Sequence, residues 1–253
     1  MDIHSDFILE EKVYIRDIPA ILFRPKVEKD KYPTIIFYHG WSSKKELQKM
    51  RGLILATVGF QVLVPDCIYH GERNPIDYDK NPQYFWDVLF KNIEESSIII
   101  DALVNEYKAD KDKISLIGHS MGGFTSAGIF AINSNIKSAV ILNGSFAWTH
   151  FAEYMKGKLK LEMSDELQEL EEKIKKHDPF NKINELVDRP ILMLHGQSDS
   201  VVPVEGQRLF YQRIEPLYKD KGKIKLIEYP NLNHFVTTNM MEESIKWFKR
   251  YGV

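Results

Sequence analysis

Cysteine is almost absent. Cys67 is the single one in 253 residues, so no intrachain disulfide can form and nothing in the covalent structure calls for an oxidising compartment. A charge excess of either sign is also missing. Thirty-four Lys and Arg stand against 36 Asp and Glu, a formal charge of -2, which gives no electrostatic reason to expect nucleic acid or an anionic membrane as partner. Met1 to Asp6 shows no basic segment leading into an apolar one, and no later apolar run approaches the ~18 residues of a membrane helix, so the expected location is the cytoplasm. Repeats and low-complexity tracts are lacking too. What remains is a chain with ordinary hydrophobic (43%) and charged (28%) content, which excludes disordered, collagenous and coiled-coil proteins.

Short runs rich in Ile, Val and Leu alternate with longer helical patterns, the mark of a mostly parallel sheet covered on both faces. Strands are expected at 34–38, 61–64, 113–117, 138–142, 191–194 and 225–229. Segments 12–16 and 20–23, around Asp17-Ile18-Pro19, read as an antiparallel hairpin at the sheet edge. Helices are expected at 44–57, 82–107, 121–133, 204–215 and 238–251. One stretch breaks the alternation. Between Leu142 and Ile191, residues 156–176 are dense in Lys and Glu yet place Leu167, Leu170 and Ile174 on one stripe, an amphipathic helix. It reads either as a solvated surface helix or, with Phe146, Trp148, Phe151 and Tyr154 ahead of it, as part of a small cap over 146–179 that bounds a pocket.

Gly118-His119-Ser120-Met121-Gly122 matches G-x-S-x-G. Chance supplies about 0.1 such matches in a chain this long, so the pattern alone is weak evidence. Its context is specific: a strand precedes it and a helix follows, the setting of a nucleophile elbow. A serine needs a base, and the base an acid that fixes its tautomer. His195-Gly196-Gln197-Ser198-Asp199 and Asn233-His234-Phe235 each follow a strand, at the edge where α/β sheets place their sites. Asp199 is the expected acid, ahead of Asp178, Asp188 and Glu205, and His234 the expected base, ahead of His177 and His195. The oxyanion donors are expected to be the amides of Met121 and Trp41, with Gly40 turning the chain to aim the latter. His39, His70 and Trp148 are candidates for substrate contact. Asp66 and Arg73 either wall the pocket or fix their loop, and Cys67 reads as a packing residue. No histidine shows metal-ligand spacing, so neither metal nor cofactor is expected.

Taken together, Gly118-His119-Ser120-Met121-Gly122-Gly123, His39-Gly40-Trp41, His195-Gly196-x-x-Asp199-x-x-Val202-Pro203 and Asn233-His234-Phe235 resemble the α/β-hydrolase superfamily, in its prolyl-oligopeptidase-like and dienelactone-hydrolase-like esterase branch. The resemblance spans residues 10–253. It implies an α/β-hydrolase fold as a single domain, the triad Ser120, Asp199 and His234, the oxyanion donors Trp41 and Met121, and hydrolysis of small acyl esters without a cofactor. Dienelactone hydrolases proper carry a cysteine nucleophile where Ser120 stands. Family peptidases carry a large propeller ahead of the central strands, and here only 33 residues precede Thr34. An aminopeptidase or amidase, an acyltransferase using the same triad, and a non-catalytic ligand-binding member are the alternatives.

Overall fold

The computed structural model describes residues 5–252. Eight strands form one sheet: β1 (Ile8–Ile15), β2 (Ile18–Pro25), β3 (Tyr32–Tyr38), β4 (Gln61–Pro65), β5 (Ala109–His119), β6 (Ala139–Leu142), β7 (Ile191–Gly196) and β8 (Ile224–Tyr229). Their order is β1-β2-β4-β3-β5-β6-β7-β8, with β1 and β2 antiparallel and every pairing from β4 to β8 parallel. β1 alone forms the edge on that side, since β2 is paired on both flanks. Pro19 is accommodated in β2 because it lies one residue before the β4 register begins at Ala20.

Alternate side chains of the central strands go to opposite faces, as the two-residue period requires. Ile36, Leu116, Ile141 and Met193 meet one set of helices: α2 (Phe85–Asn105), α3 (Met121–Ile132) and α7 (Glu205–Ile214). Ile35, Phe37, Ile117, Leu192 and Leu194 meet the other: α1 (Lys49–Thr57) and α8 (Thr238–Tyr251). Helix α3 lies so deep that every residue from Met121 to Ala131 is buried.

The segment expected as one helix over 156–176 is two. α4 (Trp148–Leu159) ends where Lys160 turns left-handed at φ 51°, and α5 (Asp165–His177) starts from Ser164, whose hydroxyl accepts the Leu167 amide at 3.2 Å. Ser164 followed by Asp165 and Glu166 is a helix-start signal that the apolar stripe obscured. A third apolar cluster, with Trp86, Leu89, Phe124, Trp148, Phe151 and Ile174, fastens this pair to α2 and α3. Asp178 clamps its base: the carboxylate accepts the amides of Trp148 (3.0 Å), Thr149 (2.8 Å) and Phe180 (2.9 Å). A short turn of helix, α6 (Ile183–Leu186), then leads into β7. Among the described residues no helix is long and apolar enough to cross a membrane.

Candidate active site

β5 delivers Ser120 at the carboxyl edge of the sheet, with φ 55° and ψ -122°, a conformation that non-glycine residues avoid. The strain is held by hydrogen bonds on both sides. The Ser120 amide donates to Leu142 O at 2.9 Å, and the Ser120 carbonyl accepts the amides of Gly123 and Phe124 at 2.8 and 3.1 Å. The flanking glycines are obligatory on contact distance: a Cβ on Gly118 would lie 1.9 Å from Gly122 O, and one on Gly122 would lie 2.0 Å from Tyr38 O. β3, β5 and α3 therefore meet backbone to backbone beneath the hydroxyl, which stands at the amino end of α3.

Two loops beyond β7 and β8 supply the acid and the imidazole. Asp199 Oδ2 accepts the His234 Nδ1 hydrogen at 2.7 Å, and Oδ1 accepts the amides of Val201 and Val202 at 2.9 Å each. Burial pushes the Asp199 carboxyl up, but hydrogen bonds from His195 and His234 outweigh it and hold the group well below the ordinary carboxylate range. With Nδ1–H given to Asp199, His234 keeps Nε2 free as a base. Its ring lies 4.9 Å from that of His119, the residue before Ser120. Burial, then the neighbouring His234, pushes His119 down to about 3, so it stays neutral. Among the described residues no hydrogen bond joins Ser120 Oγ to His234; in unliganded enzymes such contacts commonly tighten only around substrate.

The rivals are engaged elsewhere. Asp178 is the clamp described above, Asp188 accepts the Lys219 amide at 2.8 Å, and Glu205 pairs with Arg208 at 3.2 Å. His177 donates to Lys173 O on α5. His195 is fully buried behind Asp199, its Nε2–H donating to Val202 O at 2.8 Å with Asp199 Oδ2 at 3.4 Å.

Two supports escaped the sequence. Asn143, at φ 46°, donates to Phe235 O and accepts the Gly196 amide, both at 3.0 Å, which ties the ends of β6, β7 and the His234 loop together. Asn233 Oδ1 accepts the amides of Ser200 (3.0 Å) and His234 (2.8 Å), binding the acid loop to the base loop. Only their positions just beyond strands hinted at this.

A Cβ on Gly40 would stand 3.2 Å from Ser120 Cβ, so the loop after β3 runs directly against the serine. Among the described residues the amides of Trp41 and Met121 have no protein acceptor, leaving both free. Three residues expected at the substrate are placed away from the cavity at Ser120. His39, His70 and Trp148 are each 0% exposed and are not among the residues that line the cavity at Ser120. His39 donates from Nδ1 to Gly40 O (2.9 Å) and accepts the Cys67 amide at Nε2 (3.1 Å), so it braces the loop under Trp41. His70 lies edge-on to Trp41 at 5.1 Å, and Trp148 packs against Gly128 of α3. Asp66 fixes its loop rather than walling a pocket, receiving the Lys45 and Glu72 amides and the Lys45 ammonium. Arg73 forks onto Glu95 at 2.7 and 2.8 Å. Burial pushes the Cys67 thiol up to about 12, which removes it as a nucleophile.

Ser120 and Trp41 open onto one apolar cavity of 360 Å³, walled by α2, α4, α5 and Val201-Val202. The sheet order, the strained serine between β5 and α3, and the acid and histidine on the loops after β7 and β8 define an α/β-hydrolase. Comparison with known proteins gives the family. The model of the prolyl oligopeptidase family matches residues 92–251, and the chain belongs to that family. It is 30% identical over 227 residues to the putative esterase YitV of Bacillus subtilis, covering 87% of this chain and 89% of that protein. To the esterase YjfP of Escherichia coli it is 27% identical over 244 residues, covering 94% and 96%. The fold of TT1662 from Thermus thermophilus superposes with a TM-score of 0.77 at 18% identity, over 96% of this chain and 97% of that one.

Proposed function

We propose that the protein is a serine carboxylesterase in which Ser120, His234 and Asp199 act as one unit. The observation that carries this reading is the strained Ser120 facing an apolar cavity, with an Asp199–His234 pair 2.7 Å apart on the adjoining loops. Ser120 Oγ attacks the ester carbonyl while His234 Nε2 takes its proton. The carbonyl oxygen gathers charge between the amides of Trp41 and Met121. Collapse breaks the bond to the alkoxy oxygen, which leaves as the alcohol with the proton from His234. Water then enters, gives a proton to His234, attacks the acyl carbon and releases the acid, and Ser120 recovers its proton. Asp199 holds the imidazole in the tautomer that does this and stabilises its charged form. The residues complete the cycle without a cofactor, and the substrate is a small-molecule ester.

Family membership favours a second reading, an aminopeptidase or amidase using the same groups. Nitrophenyl esters and aminoacyl anilides, run side by side on the wild type and on Ser120→Ala, test both. The account expects ester turnover to exceed anilide turnover, and Ser120→Ala to lower kcat by at least ~10³ with the fold intact. Ester hydrolysis undiminished in Ser120→Ala would remove the assignment.

A further inference from the structure

The cavity beside Ser120 is much larger than a short acyl group requires. At roughly 30 Å³ for one water-sized group in a liquid, its 360 Å³ holds about a dozen such groups. An acetyl methyl would leave most of that space without partner atoms.

The geometry also says which half of the ester goes there. The leaving alcohol must depart within hydrogen-bond reach of His234, which takes and returns the proton. His234 does not line the cavity, whereas Ser120 and Trp41 do. The cavity is therefore on the acyl side of the reacting carbon, and the alcohol leaves toward the half-exposed His234 loop.

Its walls suit hydrocarbon. Phe85 comes from the start of α2, Phe151 and Met155 from α4, Leu170 and Ile174 from α5. The charges in the wall are already occupied: Lys156 pairs with Glu171 across α4 and α5 at 2.9 Å, and Lys158 Nζ donates to Ser200 O at 3.0 Å. Among the described lining residues Lys158 is the one cation outside an ion pair, and its ammonium is turned onto the Ser200 carbonyl rather than into the cavity mouth's apolar wall. Leu159, Leu161 and Val201 also line the cavity while being 44%, 46% and 46% exposed, so it opens to solvent over an apolar lip.

Building on the serine-esterase reading, we propose that the acyl group taken by Ser120 is a hydrocarbon chain of roughly six to ten carbons, seated between α4 and α5, with Met155 and Leu170 setting its length. Each buried methylene then raises kcat/KM by roughly fourfold until the cavity is full.

The test is a series of nitrophenyl esters from acetate to dodecanoate on the wild type, Leu170→Trp and Met155→Trp, with octanoate and acetate as competitive inhibitors. The wild type should peak between hexanoate and decanoate and should bind octanoate more tightly than acetate. In each tryptophan variant the ratio of kcat/KM for octanoate to that for acetate should fall at least tenfold. If either variant fails to fold, the other and the inhibitor ranking still decide. A wild type that prefers acetate, or ratios unmoved by both substitutions, overturns the inference. Loss of turnover in Ser120→Ala alongside acetate preference would sink this inference alone. Full turnover of all the esters in Ser120→Ala would instead sink the esterase reading.

Discussion

The elbow around Ser120 and the α4–α5 cap face each other across one cavity, yet they are built by opposite means. At the elbow, backbone meets backbone: Gly118, Gly122 and Tyr38 approach so closely that no side chain fits between them, and α3 is buried from Met121 to Ala131. In the cap, α5 buries only Ile174, and the pair is held by an apolar stripe, one clamping carboxylate and an ion pair. The part that holds the strained Ser120 has no slack. The part that bounds the cavity rests on contacts that can be exchanged one side chain at a time. On the proposed reading, catalytic geometry and substrate choice belong to different layers of the molecule.

The contrast can be broken most sharply with a single methyl group. Gly122→Ala places Cβ 2.0 Å from a carbonyl oxygen that cannot move without shifting β3. Denaturant unfolding should show a loss of at least about 3 kcal/mol or no soluble protein at all. Gly157→Ala in α4 meets nothing within 4 Å and should be neutral or gain about 0.5 kcal/mol. Equal effects at the two sites would erase the distinction.

Acid probes the core side next. Burial, then the neighbouring His70, pushes His39 down to about 4, and His119 lies at about 3, both from 6.5. Both stay neutral in the fold while the unfolded chain takes up protons. The stability they allow is complete above pH 6.5 and falls as pH drops below it. Each contributes a slope of up to about 1.4 kcal/mol per pH unit. Urea unfolding at pH 7.5, 6 and 5 should show the decline, and His119→Gln should flatten it. A flat profile would contradict the burial argument.

Asp178→Ala comes last in size. It strips three amides of their acceptor, two of them at the start of α4, and should cost about 2 kcal/mol. Calorimetry should find Tm lowered by a few degrees, with KM for long-chain esters rising more than kcat falls. An unchanged Tm would mean that the apolar cluster alone holds the cap.

The sequence made the central layer legible because its signals are local. Strands buried on both faces are largely apolar runs, and Gly118 to Gly122 fixes its own turn, so the core of β3 to β7 and the place of Ser120 follow from neighbours in the chain. β5 runs longer than expected because Ala109 pairs with Tyr32 ahead of a register shift, and the partly exposed Asp110 to Lys113 carry the strand on to the Thr34–Ile114 pair. What stayed hidden depends on partners distant in sequence. Asn143 acts through residues 53 and 92 positions away, and Asp178 caps a helix 30 positions before it. His39, His70 and Trp148 were placed at the correct edge, but which side of a loop a ring faces is a tertiary fact. All three turned inward. The break at Lys160 was missed because an apolar stripe over 167–174 says where a helix is, not where it starts.

The central claim is that Ser120 is the nucleophile, made reactive by His234. Incubating the protein with a fluorinated alkylphosphonate and mapping the adduct by mass spectrometry tests it directly, because such reagents react covalently only with an activated nucleophile. The account predicts one adduct per chain, on the peptide bearing Ser120, absent in Ser120→Ala and formed at least ~10²-fold more slowly in His234→Ala. An adduct on another residue, or labelling that proceeds at the same rate without His234, would contradict it.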